Sequence, residues 1–253
     1  MGIVNATPDS FSDAGHFAAA EASVENGLRL FREGTAILDV GGESTRPGSE
    51  SVSVQEELRR SIPVIAALHK AIGEKCVISV DTTKSEVARQ AIDAGAEIVN
   101  DISGCTFDPQ MIDVLCETGA GVCLMHIQGT PQTMQLNPTY PGDDPVPVVL
   151  EFLRQRIDEL VARGVNRDKI TVDPGLGFGK TYEHNRRLIE NIAQISVLER
   201  PIIVGHSRKG FLRTMYPELD RDAATAELSR YLVSQGVQIL RVHDITINQR
   251  SIQ

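Results

Sequence analysis

Eight short apolar runs, each rich in β-branched residues and each ending at a polar residue, constrain this chain more than any other feature. They fall at residues 2–5, 36–39, 77–81, 97–101, 121–126, 170–173, 202–207 and 239–243. Strands buried on both faces read as near-continuous Val/Ile/Leu runs, because neither face meets water. Amphipathic segments separate the runs. Val54, Leu58, Ile62, Ile65, Leu68 and Ile72 recur at helical spacing, as do Val146, Val149, Leu150, Leu153, Ile157, Leu160 and Val161. Strand then helix, repeated, requires parallel strands joined by crossover helices. The expected fold is α/β, a (β/α)8 barrel formed by residues 1–253 as one domain. Only ten residues follow the last run, so the final helix is expected to be short or missing.

The polar residue at nearly every run's end predicts a rim that carries chemistry. Local caps are also expected: Thr83 for a helix beginning near Lys84, and Asp108 with Pro109 at the first helical position. Long polar stretches at 7–17, 42–53 and 128–147 follow strand ends, where barrel enzymes carry loops that cover the site. No apolar stretch nears the ~20 residues of a membrane helix, and no signal peptide is read at the N-terminus. A soluble, cytoplasmic protein is expected. The net charge of −9 argues against a nucleic-acid partner. Cys76, Cys105, Cys116 and Cys123 have neither CxxC nor zinc spacing, and read as buried thiols acting as small apolar residues.

Several motifs narrow the chemistry. Asp173-Pro174-Gly175-Leu176-Gly177-Phe178-Gly179-Lys180-Thr181 suggests a nucleotide loop but fails both patterns, which need glycine at 174 or at 180. Its glycines suit a backbone passing close to a ligand, with Asp173 as the functional group. Gly41-Gly42-Glu43-Ser44-Thr45-Arg46-Pro47-Gly48 combines hydroxyls with an arginine and suits an oxyanion. Ser207-Arg208-Lys209 follows the seventh run, and Arg241 and His243 share one side of the eighth, where barrels commonly bind phosphate. Asp81 with Asn100-Asp101 can pair with a heterocycle edge. Asn5-Ala6-Thr7 matches a glycosylation sequon but is read instead as a strand-end Asn facing phosphate or metal. His126 is expected to pack or hydrogen-bond.

These motifs, with residues 1–13, Asp81-Thr82-Thr83-Lys84, Asn100-Asp101-Ile102-Ser103-Gly104 and Met125-His126, resemble the dihydropteroate synthase family of pterin-binding barrels over nearly the whole chain. The resemblance implies transfer of a pterin from 6-hydroxymethyl-7,8-dihydropterin diphosphate to p-aminobenzoate, in folate synthesis. It implies that Asp173 and Asn100 hold the pterin edge, with Lys209 beside its carbonyl. Asp81 would contact the pterin and stabilise positive charge. Asn5 would ligate Mg²⁺, and Thr45, Arg241 and His243 would grip the diphosphate. Arg46, Pro47 and Ser207 would line the p-aminobenzoate pocket, with Asp81, Lys209 and Asp173 the catalytic set. A homodimer and sulfonamide targeting are further implications. Ala6, Ala14 and Ala224-Thr225 depart from the family pattern without removing a proposed group. Two other readings share the barrel: a methyltetrahydrofolate-type pterin methyltransferase, which needs no diphosphate clamp, and a non-catalytic barrel module.

Overall fold

The structure, a computed structural model, describes residues 1–7 and 13–253, with side chains of the first helix from residue 19 onward. Strands and helices alternate in the order β1 (Gly2–Asn5), α1 (Asp13–Arg32), β2 (Ile37–Gly41), α2 (Val54–Ile72), β3 (Val77–Asp81), α3 (Ser85–Asp93), β4 (Ile98–Asp101), α4 (Met111–Thr118), β5 (Gly121–Met125) and α5 (Pro145–Ala162). They continue with β6 (Ile170–Asp173), α6 (Tyr182–Glu190), β7 (Ile203–Val204), α7 (Phe211–Met215), α8 (Arg221–Ser234), β8 (Ile239–Leu240) and α9 (Ile245–Ser251). All the strand pairings are parallel.

The first six strands form one sheet in sequence order, and β7 pairs with β8. Two isolated parallel bridges, Val172 with Ile202 and Gly2 with Val242, join the pieces. The second is a pair of backbone bonds, Ile3 N to Val242 O at 3.1 Å and Val242 N to Met1 O at 3.0 Å. The ring of strands therefore closes, as the eight runs predict.

Register decides which side chains meet inside. Gly41 pairs with Asp81, Asp81 with Asn100, Asn100 with Cys123, and Cys123 with Thr171. Successive Cβ atoms alternate across a strand. Residues 39 and 41, 79 and 81, 98 and 100, and 171 and 173 therefore share the inner face. Leu38, Val40, Ile78, Val80, Val99, Val122 and Leu124 have the other parity and join the helix-facing core. That core includes Leu58, Ile65, Leu68 and Ile72 of α2, and Val149, Leu153, Ile157 and Leu160 of α5. Each such side chain contributes roughly 1.5–3 kcal/mol by burial.

Two cap expectations are corrected. Lys84, not Thr83, stands at the N-cap of α3, and its side chain makes no cap bond. Asp108 Oδ2 accepts from Ser85 N at 2.8 Å, so an aspartate from the next loop supplies that cap. Helix α4 starts at Met111 rather than Pro109; Asp108 Oδ1 turns the chain by accepting from Gln110 N at 3.0 Å. The final helix is present and short, α9, seven residues capped by Asp244 Oδ1 on Ile247 N at 2.9 Å. Asn248 on α9 accepts from Ser229 Oγ of α8 at 2.5 Å, which docks the short helix against its neighbour. The first rim loop, expected over residues 7–17, lies outside the described residues at 8–12, and the chain is helical again from Asp13. Cys76, Cys105 and Cys123 are buried thiols and Cys116 is an exposed one. Among the described residues no helix is long and apolar enough to cross a membrane.

Candidate active site

The strand tips converge on a buried ionic hub. Arg241, inward on the chain just past β8, donates from Nε to Asp39 Oδ2 and from Nη2 to Asp81 Oδ2, both at 2.6 Å. Asn100 Nδ2 donates to the same Asp39 oxygen at 3.0 Å. Asp39, Asp81 and Asn100 are all buried. Two strands and the start of the last loop are thus tied through one guanidinium, whose planar fork suits two carboxylates at once, and β4 joins them through Asp39. Asp39 belongs to the hub although its role was not foreseen from sequence. The available signal was its place as the polar end of the second run.

Burial sets the electrostatics of this hub. Desolvation pushes the Asp81 carboxyl up to about 7; Arg241 opposes the shift and Asp39 adds to it. Burial works against the charged guanidinium of Arg241, but Asp39 and Asp81 outweigh it and raise its pKa further, so it stays charged. Asp173, at the tip of β6, is likewise raised by burial, against the pull of Lys209. Burial also brings Lys209 down to about 7, with Asp173 opposing. One carboxylic acid and one amine in the same mouth are therefore both poised near neutrality.

Lys209 Nζ lies 4.2 Å from the centre of the Phe178 ring and donates to Leu176 O. Phe178 packs with Ile102, Met125 and Met134 in a small apolar cluster of its own, apart from the main core. This patch borders the polar tips of β4, β5 and β6, so an apolar wall and a hydrogen-bonding wall stand side by side. A flat heterocycle needs that combination: faces to stack and edges to pair. Phe178 and Met134 were not anticipated from sequence, since each lies in an irregular loop.

Ser207 and His243 also meet. The Ser207 hydroxyl accepts from His243 N at 3.3 Å and lies 2.9 Å from His243 Nδ1. With the hydroxyl proton donated to Nδ1, the ring keeps its own proton on Nε2, pointing away as a donor. Burial lowers the His243 pKa to about 4, helped by Arg208, Arg241 and Arg46, so the ring is neutral near pH 7. Arg46 itself is exposed, as is Pro47, on the loop after β2. Thr45 lines a cleft of about 620 Å³, counting its solvent-open part, with Asp81, Lys84 and Thr130 among the other walls. Asn5 is exposed at the tip of β1, and its backbone oxygen accepts from Ser23 Oγ at 2.9 Å. Asn5, Thr45, Arg46 and Pro47 therefore stand outside the buried hub.

The glycine stretch after β6 has a different reason from the one expected. A Cβ on Gly175 would sit 1.9 Å from His126 O, and one on Gly179 would sit 2.5 Å from Gln128 O. Both have positive φ, at 69° and 66°. These glycines let the loop pass against the backbone after β5 rather than against a ligand. Only Gly177 faces a site group, 3.0 Å from the Lys209 side chain. The same junction accounts for His126. Buried Lys180 Nζ has three acceptors, His126 Nδ1 at 3.0 Å, Phe178 O at 3.0 Å and His126 O at 3.3 Å. Burial pulls the Lys180 amine well below the ordinary lysine range, with Asp173 opposing, and these three contacts hold it in place. Burial lowers the pKa of His126, reinforced by Lys180, so the imidazole is a neutral acceptor.

A closed parallel barrel with a heterocycle-sized, cation-rimmed mouth defines a class of small-molecule enzymes. Comparison with known proteins narrows it. The family model described as "Pterin binding enzyme" matches residues 1–243. A curated relative from Synechocystis sp. (strain ATCC 27184 / PCC 6803 / Kazusa), named dihydropteroate synthase, is 42% identical over 248 residues, spanning 97% of this chain and 84% of its own. Among solved structures, the Yersinia pestis dihydropteroate synthase with a sulfonamide drug complex aligns with a TM-score of 0.91 at 37% identity, covering 100% of this chain and 90% of that one. The Xanthomonas albilineans dihydropteroate synthase with 4-aminobenzoic acid aligns at 0.90 and 38% identity, covering 100% and 89%. The chain belongs to the pterin-binding enzyme family. Within that family, the relative and both structures are dihydropteroate synthases.

Proposed function

We propose that this chain is a dihydropteroate synthase, a transferase acting as a single barrel domain. It condenses 6-hydroxymethyl-7,8-dihydropterin diphosphate with p-aminobenzoate, giving 7,8-dihydropteroate and pyrophosphate. The observation that carries the reading is the union, in one barrel mouth, of the Asp39–Arg241–Asp81 hub and Asn100 with Asp173 and Lys209. A methyl-transferring barrel has no need of the cations beside those carboxylates.

Asp173 and Asn100 accept and donate along the pterin edge, with Lys209 donating to its carbonyl and Phe178 against its face. Each charged hydrogen bond of this kind is worth roughly 1.5–3 kcal/mol. Scission of the C–O bond leaves negative charge on the diphosphate. Arg241, His243 through its Nε2–H, and Thr45 are the donors that would meet that charge. The matching cation is delocalised into the dihydropterin and faced by ionised Asp81. The arylamine, held by Arg46, Pro47 and Ser207, attacks the exocyclic carbon; a C–N bond forms and the amine proton passes to solvent. No covalent enzyme intermediate is needed.

Mg²⁺ fits this site as a partner of the substrate. Among the described residues no group of three or more His, Cys, Asp or Glu side chains forms a protein cage for it. One exposed carboxamide at the mouth, Asn5, would be the protein oxygen available to such a hard cation. When bound it supplies charge neutralisation on the leaving diphosphate. Small-molecule substrates, a homodimer and a cytoplasmic setting complete the reading.

The test supplies pterin diphosphate, p-aminobenzoate and Mg²⁺ and measures pyrophosphate and pteroate together. Equal amounts of both are expected. A folded protein that releases neither, or that transfers a methyl group from methyltetrahydrofolate, overturns the proposal.

A further inference from the structure

Among the charged residues of the sequence motifs that have no part in that reaction are Glu43, in the loop after β2, and Lys84, three residues beyond Asp81. The structure joins them. Lys84 Nζ donates to Glu43 Oε2 and also to Glu57 Oε2 of α2. Glu57 is buried, while Glu43 and Lys84 are half-buried. Lys84 stands at the N-cap of α3, yet its side chain leaves the helix and reaches to the loop.

Two anchors hold that loop, one at each end, and the ion triad belongs to the near one. At the near end, Arg60 Nη1 donates to Gly42 O at 3.1 Å, and a Cβ on Gly42 would sit only 3.0 Å from Glu57 O. The loop therefore leaves β2 pressed against α2. At the far end, Gly48 N donates to Pro131 O at 2.9 Å and Gln132 Nε2 to Ser49 O at 3.1 Å. Thr45, Arg46 and Pro47 span the gap between the anchors. A clamp between α2 and α3 needs only Glu57 and Lys84. Glu43 adds nothing to that clamp; it adds the loop.

We infer that Glu43 and Lys84 are positioning residues for the p-aminobenzoate side of the reaction. Lys84 holds Glu43, and through it fixes where Arg46 and Pro47 present themselves to the second substrate. Because Lys84 and Asp81 share one short turn after β3, the pterin-side carboxylate and the loop carrying the arylamine contacts are set from the same point. The inference rests on the proposed function.

Three measurements test it: thermal midpoint, kcat, and KM for each substrate. Glu43→Gln leaves the Lys84–Glu57 pair in place, and both Glu43 and Lys84 are partly exposed, so the thermal midpoint is expected to fall by no more than a few degrees. Its KM for p-aminobenzoate should rise about tenfold, short of the ~10²-fold that a full ångström of misplacement can cost, with kcat and the KM for pterin diphosphate near wild type. Lys84→Arg should restore most of this behaviour, since a guanidinium can bridge the same two carboxylates. Lys84→Met strands the buried Glu57 and is expected to unfold more easily. Adding Glu57→Gln to it removes the stranded charge and should recover stability while the KM for p-aminobenzoate stays high. A Glu43→Gln protein with wild-type KM for p-aminobenzoate overturns the inference, as does one in which both KM values and kcat fall away together with stability. Wild-type protein that does not turn over at all overturns the proposed activity, and this inference with it; a wild-type enzyme that turns over isolates the failure to the loop.

Discussion

Replacement of Asp39 separates charge from hydrogen bonding in the hub. Both donors, Arg241 Nε and Asn100 Nδ2, fall on Oδ2, while Oδ1 is buried without a partner. In Asp39→Asn the amide oxygen can take the place of Oδ2 and keep both bonds, with the amide nitrogen in the place of Oδ1. What is lost is the charge. A charged hydrogen bond is worth roughly 1.5–3 kcal/mol and a neutral one roughly 0.5–1.5, so this variant should lose about 1–2 kcal/mol. Asp39→Ala removes both bonds and opens space. Breaking a buried pair from one side costs roughly 3–5 kcal/mol, and Arg241 still has Asp81, so about 3 kcal/mol is expected. For a chain of this length each kcal/mol shifts the midpoint by about 2–4 °C, giving about 2–8 °C for Asn and about 6–12 °C for Ala. Urea titration at pH 7.5 measures both free energies. The charge change has a second readout: Asp39 is one of the groups raising Asp81, so Asp39→Asn should move the Asp81 titration below its value of about 7. Equal losses in Asn and Ala, or an Ala variant within 0.5 kcal/mol of wild type, a window of about the size of an ordinary surface effect, would refute the hub's geometry.

Further outcomes follow from the same distances. Asp81 must ionise and Lys209 must keep its proton, and both titrate at about 7, so kcat/KM should be bell-shaped around neutrality; Lys209→Arg, which cannot deprotonate, should remove the alkaline limb, and an unchanged limb would show that another group sets it. Because the folded pKa of Asp81 is raised, its protonated form favours the native state below pH 4, and that stability is lost as pH rises through about 7; urea titrations of Asp81→Asn should show a flatter pH dependence across that window. Gly175→Ala drives a Cβ to 1.9 Å from His126 O at a φ of 69°, so it should cost more than about 3 kcal/mol and yield little folded protein; a normal thermal midpoint would refute the close approach. Asn5→Ala should leave the thermal midpoint unchanged and raise the Mg²⁺ concentration needed for half-maximal rate about tenfold; an unchanged Mg²⁺ titration would remove Asn5 from the metal's partners.

The eight strands are legible because a buried parallel strand leaves a one-dimensional trace, a near-continuous run rich in β-branched residues. Their polar ends follow, since only the tip of such a strand can afford a side chain that needs partners. Asp81, Asn100 and Asp173 are therefore visible in the sequence as positions. Their partners are not. Arg241 reaches Asp39 across 202 residues and Asp81 across 160, and no local pattern records a bond of that span. Asp39 illustrates the difficulty: the same run ends at Asp39 in the sequence, but β2 continues to Gly41, which moves Asp39 from the rim into the barrel.

The cap errors have the same origin. Thr83 and Asp108 are both suitable caps by residue type, and nothing local says that Asp108 will cap α3 from the following loop instead of α4 from its own. The glycine stretch was similarly readable as a tight approach but not as an approach to a particular neighbour. Lys180 interrupts a dinucleotide pattern in the sequence, and in the fold it bonds the backbone after β5 to the loop after β6. That bond holds Phe178 over Lys209 and keeps Asp173 at the edge of the same apolar patch. Cross-loop bonds of this kind fix the rim residues against one another, as the proposed reaction requires. A substitution at Lys180 should therefore disturb the Lys209 and Asp173 titrations without touching the substrate, which is the behaviour that separates a supporting residue from a reacting one.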